Sequence, residues 1–254
     1  MDEATVDHYL KRIGAQRPAT PTATALRDLH RRHLETVPFE NLSIHLNEPI
    51  DLTEEALTTK IIDRGRGGFC YELNGLFAVL LEALGYKVHR LAASVHTGEG
   101  ELSPAFDHMA LMVELEERYL ADVGFGAHTV YPLKLDWPEP QEDPEGTFLV
   151  VDGPNGDVDV LKAGEPQYRA EQRPRRLHDF ARLAWWHSTS PDSHFRGAPR
   201  CSKRTEKGRI SIVGNTLVET VGETQTKTTL TAEELPAAYE THFGFTLPHK
   251  FTNP

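Results

Sequence analysis

Hydrophobic residues recur every three or four positions through the first third of the chain, which is the spacing of amphipathic helices. One helix is predicted from about Val6 to Ile13, and a second follows the Pro- and Thr-rich turn at 18–23 and stops before Pro38. A third helix is predicted over 53–63. The widest apolar stripe predicts a fourth helix through Leu73, Leu76, Phe77, Leu80, Leu81 and Leu84.

From residue 87 onward the apolar positions shift towards alternation, which predicts strands separated by Gly, Pro and charged turns. An antiparallel barrel or sandwich is the simplest way to close such a set of strands. Thr231 and Glu234 then form a capping box that opens a last helix ending near Gly244. The strand-forming segments are 87–96, 108–115, 118–125, 147–153, 157–163, 208–222 and 226–230.

The length of 254 residues allows one large domain or two small ones sharing a core. With 27 basic and 38 acidic side chains, the net charge is −11, which argues against nucleic acid and anionic membranes as partners. The acidic amino terminus carries no signal pattern, and the most apolar stretch, 75–86, is too short to span a bilayer. We therefore expect a cytoplasmic protein.

The two cysteines, Cys70 and Cys201, are expected to be reduced thiols in that compartment. Cys70 stands where a Gly-rich turn meets the start of the fourth predicted helix, and the helix dipole and free amide hydrogens there favour a thiolate. The local sequence is equally compatible with an inert buried cysteine. Cys201 lies in a predicted basic loop without a patterned His or carboxylate, so we expect it to be non-catalytic.

A cysteine nucleophile needs a base and a group that orients that base. His108 begins one predicted strand and Asp122 lies in the next, so a hairpin turning near residues 116–117 would bring them together. Their separation of 14 requires an odd-length loop or a bulge if both side chains are to share a face. Asp107 should not orient His108, because adjacent strand residues point to opposite faces.

Four segments and one histidine together resemble the arylamine N-acetyltransferase family: VPFENLSIHL at 37–46, RGGFC at 66–70, His108, ADVGFG at 121–126 and STSPDSHF at 188–195. The resemblance implies an α+β fold in three parts with a cysteine-protease-like catalytic core. These parts are a helical bundle with the nucleophile, an antiparallel β-barrel with the His and Asp, and an interdomain segment with an α/β lid. Their expected bounds are 1–86, 87–187 and 188–254.

The resemblance also implies a catalytic triad of Cys70, His108 and Asp122. Acetyl-coenzyme A would be the acyl donor, and an aromatic amine or a hydrazine would be the acceptor. Transfer would be of the ping-pong type through an acetyl-cysteine, in a role in xenobiotic metabolism. No metal is implied. His30 and His33 have the helical spacing of metal ligands, but no Cys or carboxylate pattern completes such a site.

Contacts to the two substrates are expected on the remaining motif residues. Three phenylalanines would wall the acceptor pocket, although core packing explains such residues equally well. Two glycines would let the pantetheine arm approach the backbone, and two basic residues around Cys201 would meet the coenzyme phosphates. In that order, the residues are Phe39, Phe69 and Phe125, then Gly124 and Gly126, then Arg200 and Lys203.

Other functions use similar residues. An amide synthase that closes a polyketide macrolactam would carry the same triad. A cysteine protease or a transglutaminase has the triad in the same chain order, but the RGG-x-C and DVGFG contexts argue against it. A non-catalytic small-molecule binding protein would have no need to retain all three triad residues. The sequence leaves open the physiological acceptor and the oligomeric state, a homo-oligomer included.

Overall fold

Helices form most of the first third of the chain, as the spacing predicts. The protein is described from a computed structural model that covers residues 1–98, 100–247 and 251. The α-helices are α1 (Glu3–Arg12), α2 (Ala23–Thr36), α3 (Leu42–His45), α4 (Glu54–Thr58), α5 (Cys70–Ala83), α6 (Ala181–Thr189) and α7 (Leu235–Phe243). A π-helical turn, Thr59–Asp63, continues α4, and 3-10 turns lie at Pro154–Gly156, Leu177–Phe180 and His194–Arg196.

Two antiparallel sheets make up the rest. The strands are β1 (Phe39–Glu40), β2 (Lys87–Val95), β3 (His108–Glu114), β4 (Arg118–Ala121), β5 (Leu133–Lys134), β6 (Gln141–Asp143), β7 (Gly146–Asp152), β8 (Val158–Lys162), β9 (Glu165–Arg175), β10 (Arg200–Thr205), β11 (Gly208–Val213), β12 (Thr216–Val221) and β13 (Thr224–Thr229). Eight strands form a nearly closed barrel in the order β5-β4-β3-β2-β9-β8-β7-β6, and five form a second sheet in the order β1-β10-β11-β12-β13.

Capping hydrogen bonds mark the starts of three amino-terminal helices. The side chains of Asp2, Thr22 and Thr53 accept the backbone N–H three residues ahead at the starts of α1, α2 and α4. The predicted capping box is also present: the Glu234 carboxylate accepts from the Thr231 amide, and the Thr231 hydroxyl accepts from the Glu234 amide. Helix α7 begins at the next residue.

The prediction of a charged loop around Cys201 is wrong. Residues 200–205 form β10, an interior strand of the five-stranded sheet that pairs with both β1 and β11. Sheet pairing therefore decides the structure of this segment in spite of its polar composition. The periodicity also misses the short strands β1, β5 and β6. It misses β9 as well, where only Tyr168 and Ala170 are buried among charged neighbours.

Strand β3 is buried on both faces, which explains its almost continuous apolar sequence. Met109, Leu111 and Val113 pack in one core with α5 and the other amino-terminal helices. Ala110 and Met112, on the other face, belong to the barrel core. The strand is therefore a wall common to the helical layer and the barrel.

The outermost strand of the second sheet, β13, is exposed to solvent, unlike β3. Every residue of β13 is exposed, and this strand pairs only with β12. Helix α7 covers the other end of the same sheet, where Cys201, Tyr239 and Phe243 share a third apolar core. Within the part of the chain that the structure describes, no helix has the length and apolar character needed to cross a bilayer.

A buried ion cluster lies beneath the start of α5. Arg66 contacts Glu40 at 2.8 Å and Glu48 at 3.3 Å, and Lys60 contacts Glu72 at 2.7 Å. The Glu72 carboxylate also accepts the Phe69 amide, at the residue before the helix. Burial would raise the pKa of Glu40, but the charges of Lys60 and Arg66 outweigh it and hold the pKa below its usual range. The cluster fixes the turn that leads into α5.

Removing Glu40 should destabilise the fold much more than removing Glu48, although both carboxylates contact Arg66. The Glu40 side chain is fully buried, whereas that of Glu48 is 26% exposed. Glu40→Ala leaves a buried guanidinium without its main partner and should lower the free energy of unfolding by about 3–5 kcal/mol. Glu48→Ala should cost about 1 kcal/mol or less. Urea unfolding of the three proteins measures both values, and equal losses would contradict this account.

Candidate active site

Cys70 is the first residue of α5, at the end of the Gly-rich turn. A Cβ added at Gly67 would lie 1.8 Å from the Pro38 carbonyl oxygen, so only glycine allows the turn to pass this closely. The thiol is almost fully buried, with 3% of the residue exposed, and lies on the wall of a cavity. The structure thus places this cysteine at a helix start beside an internal space.

His108 and Asp122 form a buried pair. The His108 Nε2 atom lies 2.7 Å from the Asp122 Oδ2 atom, and both side chains are 3% exposed or less. Glu114 pairs with Arg118, so the hairpin loop has the odd length that a separation of 14 demands. A strand is predicted over 118–125, but β4 ends at Ala121. Asp122 therefore lies one residue beyond the strand.

Asn74 joins the segments that carry these residues. Its Nδ2 atom donates to the Met109 carbonyl at 2.6 Å and to the Asp122 Oδ1 atom at 2.9 Å, and its Oδ1 atom accepts the Val123 amide at 2.9 Å. Gly124 lies close to the start of α5, where an added Cβ would meet the Cys70 Cα atom at 2.7 Å. Helix α5 is therefore held directly against the loop that follows β4.

Sequence reasoning did not find Asn74, although a signal exists. It stands four residues after Cys70, one turn along the same helix face, and it is a fully buried amide within an apolar stripe. His30, which has the helical spacing of a metal ligand with His33, contacts the Asp122 loop instead. Its Nε2 atom accepts the Asp122 amide at 3.0 Å, and its Nδ1 atom lies 2.9 Å from the Val130 carbonyl. It thus supports the backbone of the Asp122 loop.

The surroundings lower the pKa of Asp122 but raise the pKa of the Cys70 thiol. Burial would raise the pKa of Asp122, but His108 and the Asn74 hydrogen bond outweigh it and lower the pKa to about 2. Burial raises the pKa of the Cys70 thiol well above its ordinary value, and the charges of Asp122 and Asp107 raise it further. Hydrogen bonds with the backbone of Met109 and Tyr71 act in the opposite direction. The helix start alone therefore does not provide a thiolate.

The cavity has a volume of about 490 Å³ and lies between α5, the barrel and the second sheet. Cys70 and His108 are both on its wall. Five of the seven residues expected to contact substrates also line it: Phe39, Gly124, Phe125, Gly126 and Arg200. The Phe125 ring packs edge-on against His108, with the ring centroids 5.0 Å apart.

Two expected contact residues lie elsewhere. Phe69 is fully buried behind the cavity wall, where its ring packs against Tyr71 and Phe195. Lys203 is on the opposite face of β10 from Arg200 and Ser202 because side chains alternate along a strand. Its Nζ atom donates to the His242 carbonyl of α7 at 2.8 Å. The expectation that Phe69 and Lys203 face the substrates does not agree with these positions.

Another basic residue on the cavity wall was not expected. Arg209 of β11 donates from Nη2 to the Gly126 carbonyl at 3.1 Å and from Nη1 to the Ser202 hydroxyl at 3.1 Å. Burial lowers the pKa of its guanidinium from the ordinary value. The alternation of β10 and β11 thus places Arg200 and Arg209 on the cavity side of the sheet, and Cys201 on the side of α7.

Comparison with known proteins agrees with this geometry. A family model described as N-acetyltransferase matches residues 22–252. The arylamine N-acetyltransferase of Mycolicibacterium smegmatis is 36% identical over 219 residues, which cover 82% of this chain and 80% of that protein. That of Escherichia coli strain K12 is 34% identical over 198 residues, covering 75% and 70%.

Solved structures show the same likeness in three dimensions. The arylamine N-acetyltransferase from Salmonella typhimurium superposes with a TM-score of 0.90 at 27% identity, covering 99% of this chain and 96% of that one. The M. smegmatis enzyme superposes with a TM-score of 0.87 at 32% identity, covering 97% and 93%. The sequence matches and the shared α+β fold lead to one conclusion: this chain belongs to the arylamine N-acetyltransferase family and is an acyltransferase.

Proposed function

We propose that the protein transfers an acetyl group from acetyl-coenzyme A to an arylamine, an arylhydrazine or a hydrazine through an acetyl-cysteine on Cys70. The observation that carries this proposal is the shared cavity wall of Cys70 and His108, with His108 paired to Asp122 behind it. A thiol, an imidazole and a buried carboxylate in this order are the parts of a nucleophilic triad. The proposal includes a cytoplasmic location, in which both thiols would stay reduced.

Each triad residue has a separate role in the proposed cycle. His108 takes the proton of Cys70 and becomes an imidazolium, which Asp122 stabilises and orients. The thiolate attacks the acetyl carbonyl, and the coenzyme leaves as a thiol with the proton from His108. In the second half-reaction the amine attacks the acetyl-cysteine, the C–S bond breaks, and His108 accepts the amine proton.

The cavity wall suggests how the two substrates are held. Phe39 and Phe125 offer ring faces on which a flat aromatic acceptor can stack. The turn at Gly124 and Gly126 leaves backbone open to the pantetheine arm, and Gly126 has the positive φ of 101° that favours glycine. Arg200 is the basic residue that we assign to the coenzyme phosphates.

The macrolactam amide synthase remains the second candidate, because it would use the same triad. The rings of Phe39 and Phe125 on the cavity wall favour a planar amine as the acceptor. A non-catalytic binding protein of this fold is a weaker candidate, since it would need neither the buried His108–Asp122 pair nor a cysteine beside it.

Acetyl-coenzyme A alone should acetylate Cys70. Mass spectrometry of the intact protein and of the Cys70 peptide should show one added acetyl group, and an arylamine or hydrazine should then remove it. Cys70→Ala should abolish both steps, whereas Cys201→Ala should retain them because Cys201 lies in the core beneath α7. Initial rates at several donor concentrations should give parallel double-reciprocal lines. Turnover by Cys70→Ala, or intersecting lines, would refute the acetyl-cysteine.

The reactivity of Cys70 should depend on His108. Iodoacetamide should alkylate Cys70 below the pH at which a free thiol ionises, because the proton passes to the imidazole. In His108→Gln the profile should move to higher pH than that of a free thiol, since burial and the nearby carboxylates raise the pKa of the thiol and no imidazole is left to take its proton. His178→Gln, on an exposed histidine, is the control and should match the parent. An unshifted profile in His108→Gln would exclude this pairing.

Phe125→Ala should slow the acceptor half-reaction more than the donor half-reaction. Loss of the stacking surface should slow discharge by an aromatic amine about tenfold and leave acetylation of Cys70 within about twofold of the parent. Single-turnover measurements of the two half-reactions provide both rates.

The parent protein separates the acetyltransferase from the amide synthase. If it releases no coenzyme A thiol with any arylamine or hydrazine, yet accepts a bulky polyketide-like thioester, the synthase assignment replaces the acetyltransferase.

A further inference from the structure

A second carboxylate faces the cavity beside the nucleophile. Among the described residues that line the cavity, Asp107 is the only Asp or Glu. It has no place in the proposed triad, because His108 is already paired with Asp122. Its side chain is 11% exposed, so it is covered by protein apart from its access to the cavity. A carboxylate so enclosed needs an explanation, since burial of a charge is unfavourable unless it is compensated.

Asp107 is held by a histidine of its own. The His187 Nε2 atom lies 3.1 Å from the Asp107 Oδ1 atom, and the His187 Nδ1 atom lies 3.2 Å from the Ser193 hydroxyl. Both His187 and Ser193 are buried. Burial would raise the pKa of Asp107, but hydrogen bonds with His187 and Ser103 outweigh it, and the pKa lies below its usual range. The carboxylate is therefore ionised at neutral pH.

The backbone before Asp107 is in a strained conformation. Phe106 has a φ of 69°, in the left-handed region that phenylalanine rarely adopts. The Tyr71 hydroxyl holds this turn by donating to the Phe106 carbonyl at 2.7 Å and to the Asp107 carbonyl at 3.0 Å. Tyr71 directly follows Cys70, so the nucleophile and the carboxylate are positioned by one local unit. Strain of this kind persists where the surrounding structure fixes a required position.

The charge of Asp107 opposes the first half-reaction. It contributes to raising the pKa of the Cys70 thiol, and therefore disfavours the attacking thiolate. In the second half-reaction the sulphur is acylated and carries no charge. The group that becomes charged is then the amine, whose nitrogen turns positive as it bonds to the acetyl carbon. A carboxylate at this position stabilises that charge.

We propose that Asp107 binds the acceptor nitrogen and stabilises its positive charge during attack on the acetyl-cysteine. This inference rests on the proposed function. The nitrogen lone pair forms the N–C bond and the carbonyl becomes an oxyanion. The nitrogen then loses its proton to His108, and the oxyanion collapses with cleavage of the C–S bond. Asp107 accepts a hydrogen bond throughout and keeps no proton. The site thus favours basic nitrogen nucleophiles.

Asp107→Asn separates the two half-reactions. Acetylation of Cys70 should proceed at the parental rate or faster, because a charge that opposes the thiolate is removed. Exchange of labelled coenzyme A into acetyl-coenzyme A should behave in the same way, since a sulphur nucleophile develops no cationic nitrogen. Discharge by a hydrazine should fall about 10- to 100-fold, as expected for loss of one charged hydrogen bond. Asp192→Asn, on an exposed aspartate, is the matched control.

The outcomes are distinct. If the parent shows no exchange, the proposed function fails. If exchange is normal and Asp107→Asn discharges the hydrazine at the parental rate, or loses exchange and discharge equally, this inference fails. Should that variant not fold, the parent acetyl-enzyme decides the question. Benzamidinium, which stays charged at neutral pH and is a poor nucleophile, should inhibit hydrazine discharge at least about tenfold more strongly than benzamide, which has the same shape without the charge, and equal inhibition would overturn the assignment.

Discussion

The candidate site depends on the close contact between the start of α5 and the loop after β4. Asn74 spans this contact with hydrogen bonds to both β3 and the Asp122 loop, and Gly124 lies against the backbone of Cys70. The proposed nucleophile comes from the helical layer, and its proposed partners come from the barrel. Any side chain at Gly124 would separate the two layers, and loss of the Asn74 amide would leave buried polar atoms without partners.

Charge around the Cys70 thiol would act on both half-reactions of the proposed cycle. Burial and two carboxylates disfavour the Cys70 thiolate, while backbone hydrogen bonds favour it. In that cycle the thiol stays neutral until its proton passes to His108. A similar balance holds beneath the helix, where Glu40 and Arg66 neutralise each other in a buried position. That ion pair fixes the turn that leads into α5.

Much of this architecture could be predicted from the sequence, and the errors have a common cause. Local signals identified four amino-terminal helices, the last helix with its capping box, and the hairpin that joins His108 to Asp122. They missed α3, α6 and the strands β1, β5, β6, β9 and β10. In β9 and β10 few residues are buried, so the alternation is weak and the structure depends on neighbouring strands. The same limit applies to the site. Phe69 and Lys203 lie close to the cavity, but the packing of α5 and β10 turns their side chains away from it. The contacts of Asn74 and Asp107 are with residues far away in the sequence, which local patterns do not indicate.

The double burial of β3 has a consequence for truncated forms of the chain. One face of this strand completes the helical core and the other completes the barrel. His108 begins the strand, so packing on both faces holds its position. The contacts on these two faces join residues that are far apart in the sequence. A chain that lacks either layer would therefore expose one apolar face of β3 and leave His108 without a fixed position.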